Sequence, residues 1–545
     1  MDNNKLAEML FPNIDTTPED MEKRFPERSL GEGAMVTRLG PSPTGFMHLG
    51  NLYGAFVDER LAHRSGGIFY LRIEDTDDKR YVEGAVETII DSLEFFDIKF
   101  DEGASKEGDV GEYGPYSQSQ RKEIYQTYVK ELVRKGLAYP CFLGEEEISE
   151  IRAKQEAEKL TPGIYGEYAA CRNLSLDEIE ENIKAGKAYV MRLRSGGNPA
   201  EPKEICVADA IRGEVKMPEN YQDVVILKAN GIPTYHFAHA VDDHLMRTTH
   251  VVRGEEWLSS LPIHVELFEK LGFALPIYCH TAVLMKSENG NKRKLSKRKD
   301  PELSLDYYKE MGYHPQAVRE YLLTLLNSNF EEWRKENPEV PAEDFPFSVD
   351  KMSTSGALFD LNKLNDVSKD TLVRISAEDL YTFMTEWAEK YRPDAVEDLS
   401  DKEYILKILD LGRSGNKPRK DFVNAGQMID FISYFFDDKL NIEEDMPAEA
   451  AADAKEILSA YLQSYDHNDD QEAWFNKIRD IAVNLGYAAK PKDYKKNPDD
   501  YKGHVGHVST VIRIAIVGRS QSPDIWEIQQ ILGEERTLAR VKALI

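Results

Sequence analysis

Val36-Thr37-Arg38-Leu39-Gly40-Pro41-Ser42-Pro43-Thr44-Gly45-Phe46-Met47-His48-Leu49-Gly50-Asn51 is the stretch whose reading decides the fold. It reads as the end of a strand, a stiff turn and the start of a helix. Pro41 and Pro43, with Gly40 and Gly45, exclude regular structure between the two elements. From Leu49 the apolar residues Leu52, Tyr53, Phe56 and Leu61 fall at helical spacing, and Gly66-Gly67 supplies a stop. Ile68-Phe69-Tyr70-Leu71-Arg72-Ile73 then reads as a second strand, ending in Glu74-Asp75-Thr76-Asp77. A strand–helix–strand unit implies a parallel pair with a right-handed crossover. Both polar clusters, Arg38 to Asn51 and Glu74 to Asp77, then sit at the carboxyl ends of neighbouring strands, where open α/β sheets bind ligands.

The turn suits a nucleotide. Amides of the first helical turn, from His48 to Asn51, carry partial positive charge toward a polyphosphate. Gly50 admits a base or ribose close to the backbone, and His48 offers a hydrogen bond to a phosphate oxygen. Taken alone, His48 is equally well read as an ordinary polar residue at a helix start. Far downstream comes a dense basic segment, Lys292-Arg293-Lys294-Leu295-Ser296-Lys297-Arg298-Lys299. Taken alone, it reads as a solvated charge run or a nuclear-import-like patch.

A chain of 545 residues has room for three or four domains. The formal net charge of −28 suppresses non-specific RNA binding, yet it leaves room for a local basic face. No apolar run approaches the roughly 18 residues of a membrane span, and the start lacks a signal-peptide pattern. A soluble, cytoplasmic protein without a membrane partner is expected. Cys141, Cys171, Cys206 and Cys279 are widely spaced and fit free thiols better than a disulfide framework.

Along the chain, residues 1–34 form an acidic, Pro-interrupted extension with a short helical pattern from Leu6 to Leu10. It either packs on the following domain or is partly disordered. Helices are expected over Tyr81 to Phe96, Arg121 to Arg134, Glu145 to Glu158, Leu261 to Leu271, Leu303 to Met311 and Pro315 to Leu326. Strands are expected over Ala188 to Arg194, Asp223 to Lys228 and Val251-Val252, the last delivering Arg253 at its end. Pro276 to Leu284 reads as one strand leading into the basic loop. Beyond Phe330 the chain becomes mostly helical and acidic, with one further basic loop, Gly412 to Lys420.

Together, the two signals resemble the paired signature of class I aminoacyl-tRNA synthetases. His48-Leu49-Gly50-Asn51 resembles HIGH, and Lys294-Leu295-Ser296-Lys297-Arg298 resembles KMSKS. Thr37-Arg38 with Pro41-Ser42-Pro43-Thr44-Gly45, then Arg72-Ile73-Glu74-Asp75-Thr76-Asp77, resemble the glutamyl-tRNA synthetase family. The glutaminyl relative has P-x-N-G in the first stretch and an Asp-Asp-Thr-Asn pattern in the second. Pro233 to Phe237, Val241 to His244, Val252 to Trp257 and the end of the chain, Arg513 to Gly518 through Arg540, resemble the same family.

The resemblance implies an α/β fold. A Rossmann-like nucleotide-binding domain (35–125 and 221–310) would carry an α+β insertion for the tRNA acceptor end (126–220). A stem-contact region (311–375), including a helix near Ala357 to Leu364, and a mostly α-helical anticodon-binding region (376–545) would follow. It implies ATP-dependent attachment of L-glutamate to tRNA(Glu), with tRNA(Gln) as a possible second acceptor, by a monomer using ATP with Mg2+. His48, Lys294 and Lys297 would be catalytic. Gly50, Asn51, Glu256, Trp257, Leu284 and Ser296 would join them at ATP. Arg38, Ser42, Glu74, Tyr235 and Arg253 would bind glutamate, with guanidinium forks for its side-chain carboxylate and Glu74 for its ammonium. Asp77, Arg192, Arg194, Arg413, Lys417 and Arg419 are candidates for tRNA contact. Arg192 and Arg194 read equally well as ordinary exposed arginines on one strand face. Some family members carry zinc on a C-x-C pair and a later Tyr-x-Cys-like segment. Here Cys141 lacks that neighbour, and although Tyr168 and Cys171 lie downstream, four ligands are not in evidence, so no zinc and no other metal site is expected. The competing readings are a small-metabolite nucleotidyltransferase, a truncated relative acting on a modified base, and a catalytically inactive tRNA-binding paralogue.

Overall fold

The computed structural model describes residues 2–77, 82–413 and 418–545. Its packing defines two units, Met1–Tyr307 with Leu322–Asp360, and Tyr308–Tyr321 with Leu361–Ile545. The segment read as a stem-contact region is thus shared between them.

In the first unit, β1 (Val36–Leu39), β2 (Ile68–Leu71), β3 (Glu102–Ser105) and β4 (Gly108–Val110) form one sheet in chain order. β1 and β2 are parallel, from Val36 opposite Ile68 to Leu39 opposite Leu71, with helix Leu49–Arg64 crossing between them. All four residues of β1 are buried, as expected of a parallel strand covered on both faces. The next strands are β5 (Ala138–Cys141), β6 (Val190–Leu193), β7 (Glu204–Asp209), β8 (Gly213–Pro218) and β9 (Val225–Leu227). They are followed by β10 (His250–Gly254), β11 (Ile277–Thr281), β12 (Leu284–Glu288), β13 (Asn291–Lys294) and β14 (Ala357–Phe359). β10 and β11 are parallel, and the β7–β8 hairpin extends their sheet through Tyr278 opposite Asp209.

Several sequence expectations need correction. β9, read as the return of the nucleotide fold, pairs instead with β6 in the sheet β5-β6-β9. Ile226 and Leu227 share one buried core with Ala138, Met191 and Leu193, and that packing decides the partner. The strand expected over Pro276 to Leu284 breaks at Ala282-Val283 into β11 and β12. The basic segment is not all loop, because its first residues form β13, antiparallel to β12 with Met285 opposite Lys294. Asn289 and Gly290 turn the hairpin with φ of 52° and 81°, and an Asn-Gly pair is the strongest short-range signal for such a turn. Ala357 to Leu364 is no single helix: it is β14, parallel to β12, followed by helix Leu361–Leu372.

The N-terminal extension packs on the unit. Helices Asn3–Leu10 and Pro18–Arg24 bury Leu6, Leu10, Met21 and the following Phe25 in the core that holds Tyr113, Tyr125 and Tyr128. Lys130 Nζ donates to the Phe11 and Ile14 carbonyls, fixing the chain between these helices.

The second unit is helical in its described part. Helix Ala377–Tyr391 shows why: Ser376 caps its start, and Leu380, Met384 and Ala388 recur every four residues on the buried side. Among the described residues no helix is long and apolar enough to cross a membrane.

Candidate active site

His48 caps helix Leu49–Arg64. Its Nδ1 accepts from the Asn51 N–H at 3.2 Å, and Asn51 Oδ1 accepts from the His48 N–H at 3.1 Å. An accepting Nδ1 puts the ring proton on Nε2. Burial above all pushes the imidazole pKa below its ordinary value; Glu256 pulls it back up, while Lys294 and Lys297 add to the lowering. His48 is therefore a neutral N–H donor at pH 7. This corrects the picture of open first-turn amides, since the amide of Asn51 holds the histidine ring. Gly50 serves the same ring, because a Cβ there would stand 3.0 Å from His48 Nδ1.

The second motif folds against the first. Leu295, buried, donates its N–H to the Leu284 carbonyl at 3.2 Å. Ser296 N–H donates to Asp300 Oδ2 at 2.8 Å, and the fork of Arg293 grips the same carboxylate at 2.6 and 2.8 Å. This pairing holds the Asp300 carboxyl far below the ordinary range although burial opposes it. Lys294 and Lys297 are left exposed. Lys297 Nζ lies 3.7 Å from the centroid of the Phe46 ring, two residues before His48. Leu305 N–H bonds to the Met47 carbonyl and His48 bridges Ser304, which locks the two motifs together.

Beside them lies a buried set of opposite charges. Arg38 Nε meets both oxygens of Asp243 at 3.2 and 3.3 Å, and its Nη1 donates to the Val252 carbonyl. Arg72 Nη1 reaches Asp243 Oδ1 at 2.5 Å and its Nη2 reaches Glu74 Oε1 at 3.0 Å. Burial would raise the Asp243 carboxyl, but the two guanidiniums hold it well below the ordinary value. Glu74 is shifted the other way, raised by burial despite Arg72 and Arg38. Burial raises the Tyr235 hydroxyl pKa, with the charge of Glu74 adding and those of Arg253 and Arg38 opposing, and its ring packs on Trp257 at 4.4 Å. Arg253, buried at the end of β10, lies over the Tyr278 ring at 4.6 Å with Nη2 unpartnered. Four of the five residues read as glutamate ligands are thus brought together, while Ser42 is exposed on the turn nearby. Arg72 and Asp243, which carry the network, received no role from the sequence. The signal was there in Arg72-Ile73-Glu74, whose alternation puts both charges on one side.

Residues 34–366 match the family described as tRNA synthetases class I (E and Q), catalytic domain, and residues 498–545 match an anticodon binding domain. The glutamate–tRNA ligase of Acetivibrio thermocellus is 63% identical over 100% of both chains. That of Clostridium perfringens is 51% identical, covering 98% of this chain and 99% of its own. The chain belongs to the glutamate–tRNA ligase family. A crystal structure of a glutamate tRNA ligase from Elizabethkingia meningosepticum, in complex with its amino acid, aligns with a TM-score of 0.76 at 29% identity. The alignment covers 93% of this chain and 98% of that one. The α/β catalytic fold with an anticodon-binding region is that of the family.

For a member of this family, the outlying candidates sort by burial. Arg192 is buried and donates to the Asp223 carbonyl, so it is not open to phosphate, contrary to expectation. Arg194 is half-buried over Tyr139 and donates to Asn173 and the Arg172 carbonyl. Arg413 Nη2 donates to the Leu372, Val373 and Ile375 carbonyls, which closes the end of helix Leu361–Leu372 rather than facing RNA. Arg419 pairs with Asp421 and stacks over Phe431. Asp77 is exposed, and Lys417 lies outside the described residues. Cys141 and Cys171 are buried together, and Cys141 is the more acidic thiol because Cys171 donates to it and Arg192 lies alongside, against burial. The pair offers two sulfur ligands, and the Tyr168 hydroxyl donates to Glu158 instead. Among the described residues no group of three or more His, Cys, Asp or Glu is arranged to hold a metal.

Proposed function

We propose that this chain attaches L-glutamate to tRNA(Glu) in two ATP-dependent steps. The α-carboxylate of glutamate attacks the α-phosphorus of ATP, expelling pyrophosphate and leaving glutamyl-adenylate. A hydroxyl of the terminal adenosine of tRNA then attacks the glutamyl carbonyl and AMP departs. The observation that carries this reading is the meeting of Lys297 with the Phe46–His48 turn, on a unit that also buries the Arg38–Arg72–Asp243 charge network. Lys294 and Lys297 would face the leaving phosphates. The Nε2–H of His48 would donate to a phosphate oxygen as charge develops, an interaction worth most in a partly dehydrated site. Glu256, Trp257 and Leu284 border the nucleotide, and Trp257 adjoins the amino-acid side through Tyr235. Glu74 accepts the α-ammonium of glutamate, while Arg253, assisted by Arg38, faces its side chain. ATP would bring Mg2+ on its phosphates, and the ion would offset their charge.

The test is aminoacylation with labelled glutamate on purified tRNA(Glu) and tRNA(Gln) separately, with labelled glutamine as control. Charging of tRNA(Glu) alone marks a discriminating enzyme, and charging of both marks a non-discriminating one. Failure of glutamate to reach either tRNA, with ATP still bound, would leave the inactive tRNA-binding paralogue.

A further inference from the structure

The guanidinium of Arg253 is held differently from the other arginines of the pocket. Arg38 and Arg72 share the carboxylate of Asp243, whereas no carboxylate among the described residues pairs with Arg253. Its Nε donates to His280 Nε2 at 2.9 Å and its Nη1 to His264 Nδ1 at 3.0 Å, while Nη2, buried, has no partner. An arginine only donates, so each of these ring nitrogens bears a lone pair. The proton of His280 therefore sits on Nδ1, where it is given to Asp209 Oδ2 at 2.7 Å. The same oxygen accepts the His280 backbone N–H at 3.0 Å. The proton of His264 sits on Nε2 and is given to His236 Nδ1 at 2.9 Å. Both rings are fully buried, and burial leads the forces that keep them below the ordinary histidine pKa, with the charge of Arg253 adding to it. They are neutral at pH 7.

A neutral cradle does what a carboxylate partner cannot. It fixes the plane of the guanidinium and leaves its charge to be balanced by whatever occupies the pocket. A buried cation without a counter-ion favours an anionic ligand over its uncharged isostere, since the amide leaves that charge uncompensated. We propose that His264 and His280, the latter oriented by Asp209, are positioning residues for the selection of glutamate over glutamine: they hold Arg253 without neutralising it. This rests on the glutamate-activating reading above.

Shape-matched substitutions separate charge from packing. In His264→Asn a side-chain oxygen takes the place of Nδ1 and still accepts from Arg253; in His264→Asp the same oxygen carries a charge. The Michaelis constants for glutamate and ATP, and the ratio of charging efficiencies with glutamate and glutamine, are measured for each variant. So is the rise in melting temperature caused by glutamate alone. His264→Asp is expected to raise the KM for glutamate roughly 30-fold or more, the effect of losing one desolvated charge pair. Its glutamate-to-glutamine ratio should fall in step, with little change in the KM for ATP. His264→Asn should stay within about fivefold of the parent on every measure. His280→Gln and His280→Glu repeat the comparison from the other ring nitrogen if a His264 variant does not fold. Equal behaviour of the Asn and Asp variants, in a protein whose parent charges tRNA with glutamate, overturns this inference alone. A parent that neither charges nor is stabilised by glutamate overturns the functional reading and this inference with it.

Discussion

Asp243→Asn removes one charge from the buried centre of the catalytic unit while keeping the shape. Asp243 meets Arg38 at 3.2 Å and Arg72 at 2.5 Å, with His239 Nδ1 at 2.7 Å. All four side chains are shielded from water. At an effective dielectric near 20, each guanidinium–carboxylate attraction is worth about 4 kcal/mol before desolvation. The measured effect of breaking a buried pair is about 3–5 kcal/mol, because the surviving charge stays buried. Here two cations survive side by side and repel each other. The upper part of that range is expected, offset by hydrogen bonds that the amide can still accept. A unit of about 350 residues has an unfolding entropy near 0.7 kcal/mol per kelvin. The melting transition of this unit should therefore fall by about 4–7 °C in scanning calorimetry. The pH dependence follows from the depressed carboxyl. Its stabilisation is complete above the unfolded value near 3.9 and is lost only as pH falls through the lower folded value. The gap between parent and variant should hold from pH 8 to 5 and close only below about pH 4. A melting shift under about 1 °C, or a gap that has closed by pH 6, would refute the assignment of Asp243 as the counter-ion of both arginines.

Four further substitutions have expected outcomes. His48→Ala should lower kcat by about 10²–10³, the effect of one preorganised donor. Asn51→Ala should lower it less and soften helix Leu49–Arg64 by about 1 kcal/mol, and steady-state charging kinetics with urea unfolding separate the two effects. Gly40→Ala places a Cβ 2.4 Å from Glu74 Oε1, which Arg72 holds in place, so the KM for glutamate should rise at least about tenfold with the KM for ATP unchanged. Arg28→Ala removes a fork to Glu102 at 2.8 and 2.9 Å and a ring contact with Tyr113 at 3.8 Å. It should destabilise the catalytic unit by about 2–4 kcal/mol and expose the N-terminal extension to limited proteolysis.

By itself, the sequence determined the parts whose physics is local. The strand–turn–helix from Val36, the parallel return at Ile68, helices Leu261–Leu271 and Pro315–Leu326, and the two signature motifs were all legible. Proline and glycine punctuation and apolar spacing act within a few residues. The Asn289-Gly290 hairpin was equally local and was overlooked beside the run of basic charge. Long-range packing decided the rest. β9 joins β6 because Ile226 and Leu227 fill a core that no window of sequence displays. Arg192 and Arg413, plausible RNA contacts by type, became internal donors once burial was known. Which arginine of the pocket has a carboxylate partner and which has only imidazoles depends on Asp243, His264 and His280. These reach Arg38 and Arg253 from separate elements of the chain. Charge compensation is a property of three-dimensional neighbours, and only the tertiary structure assigns it.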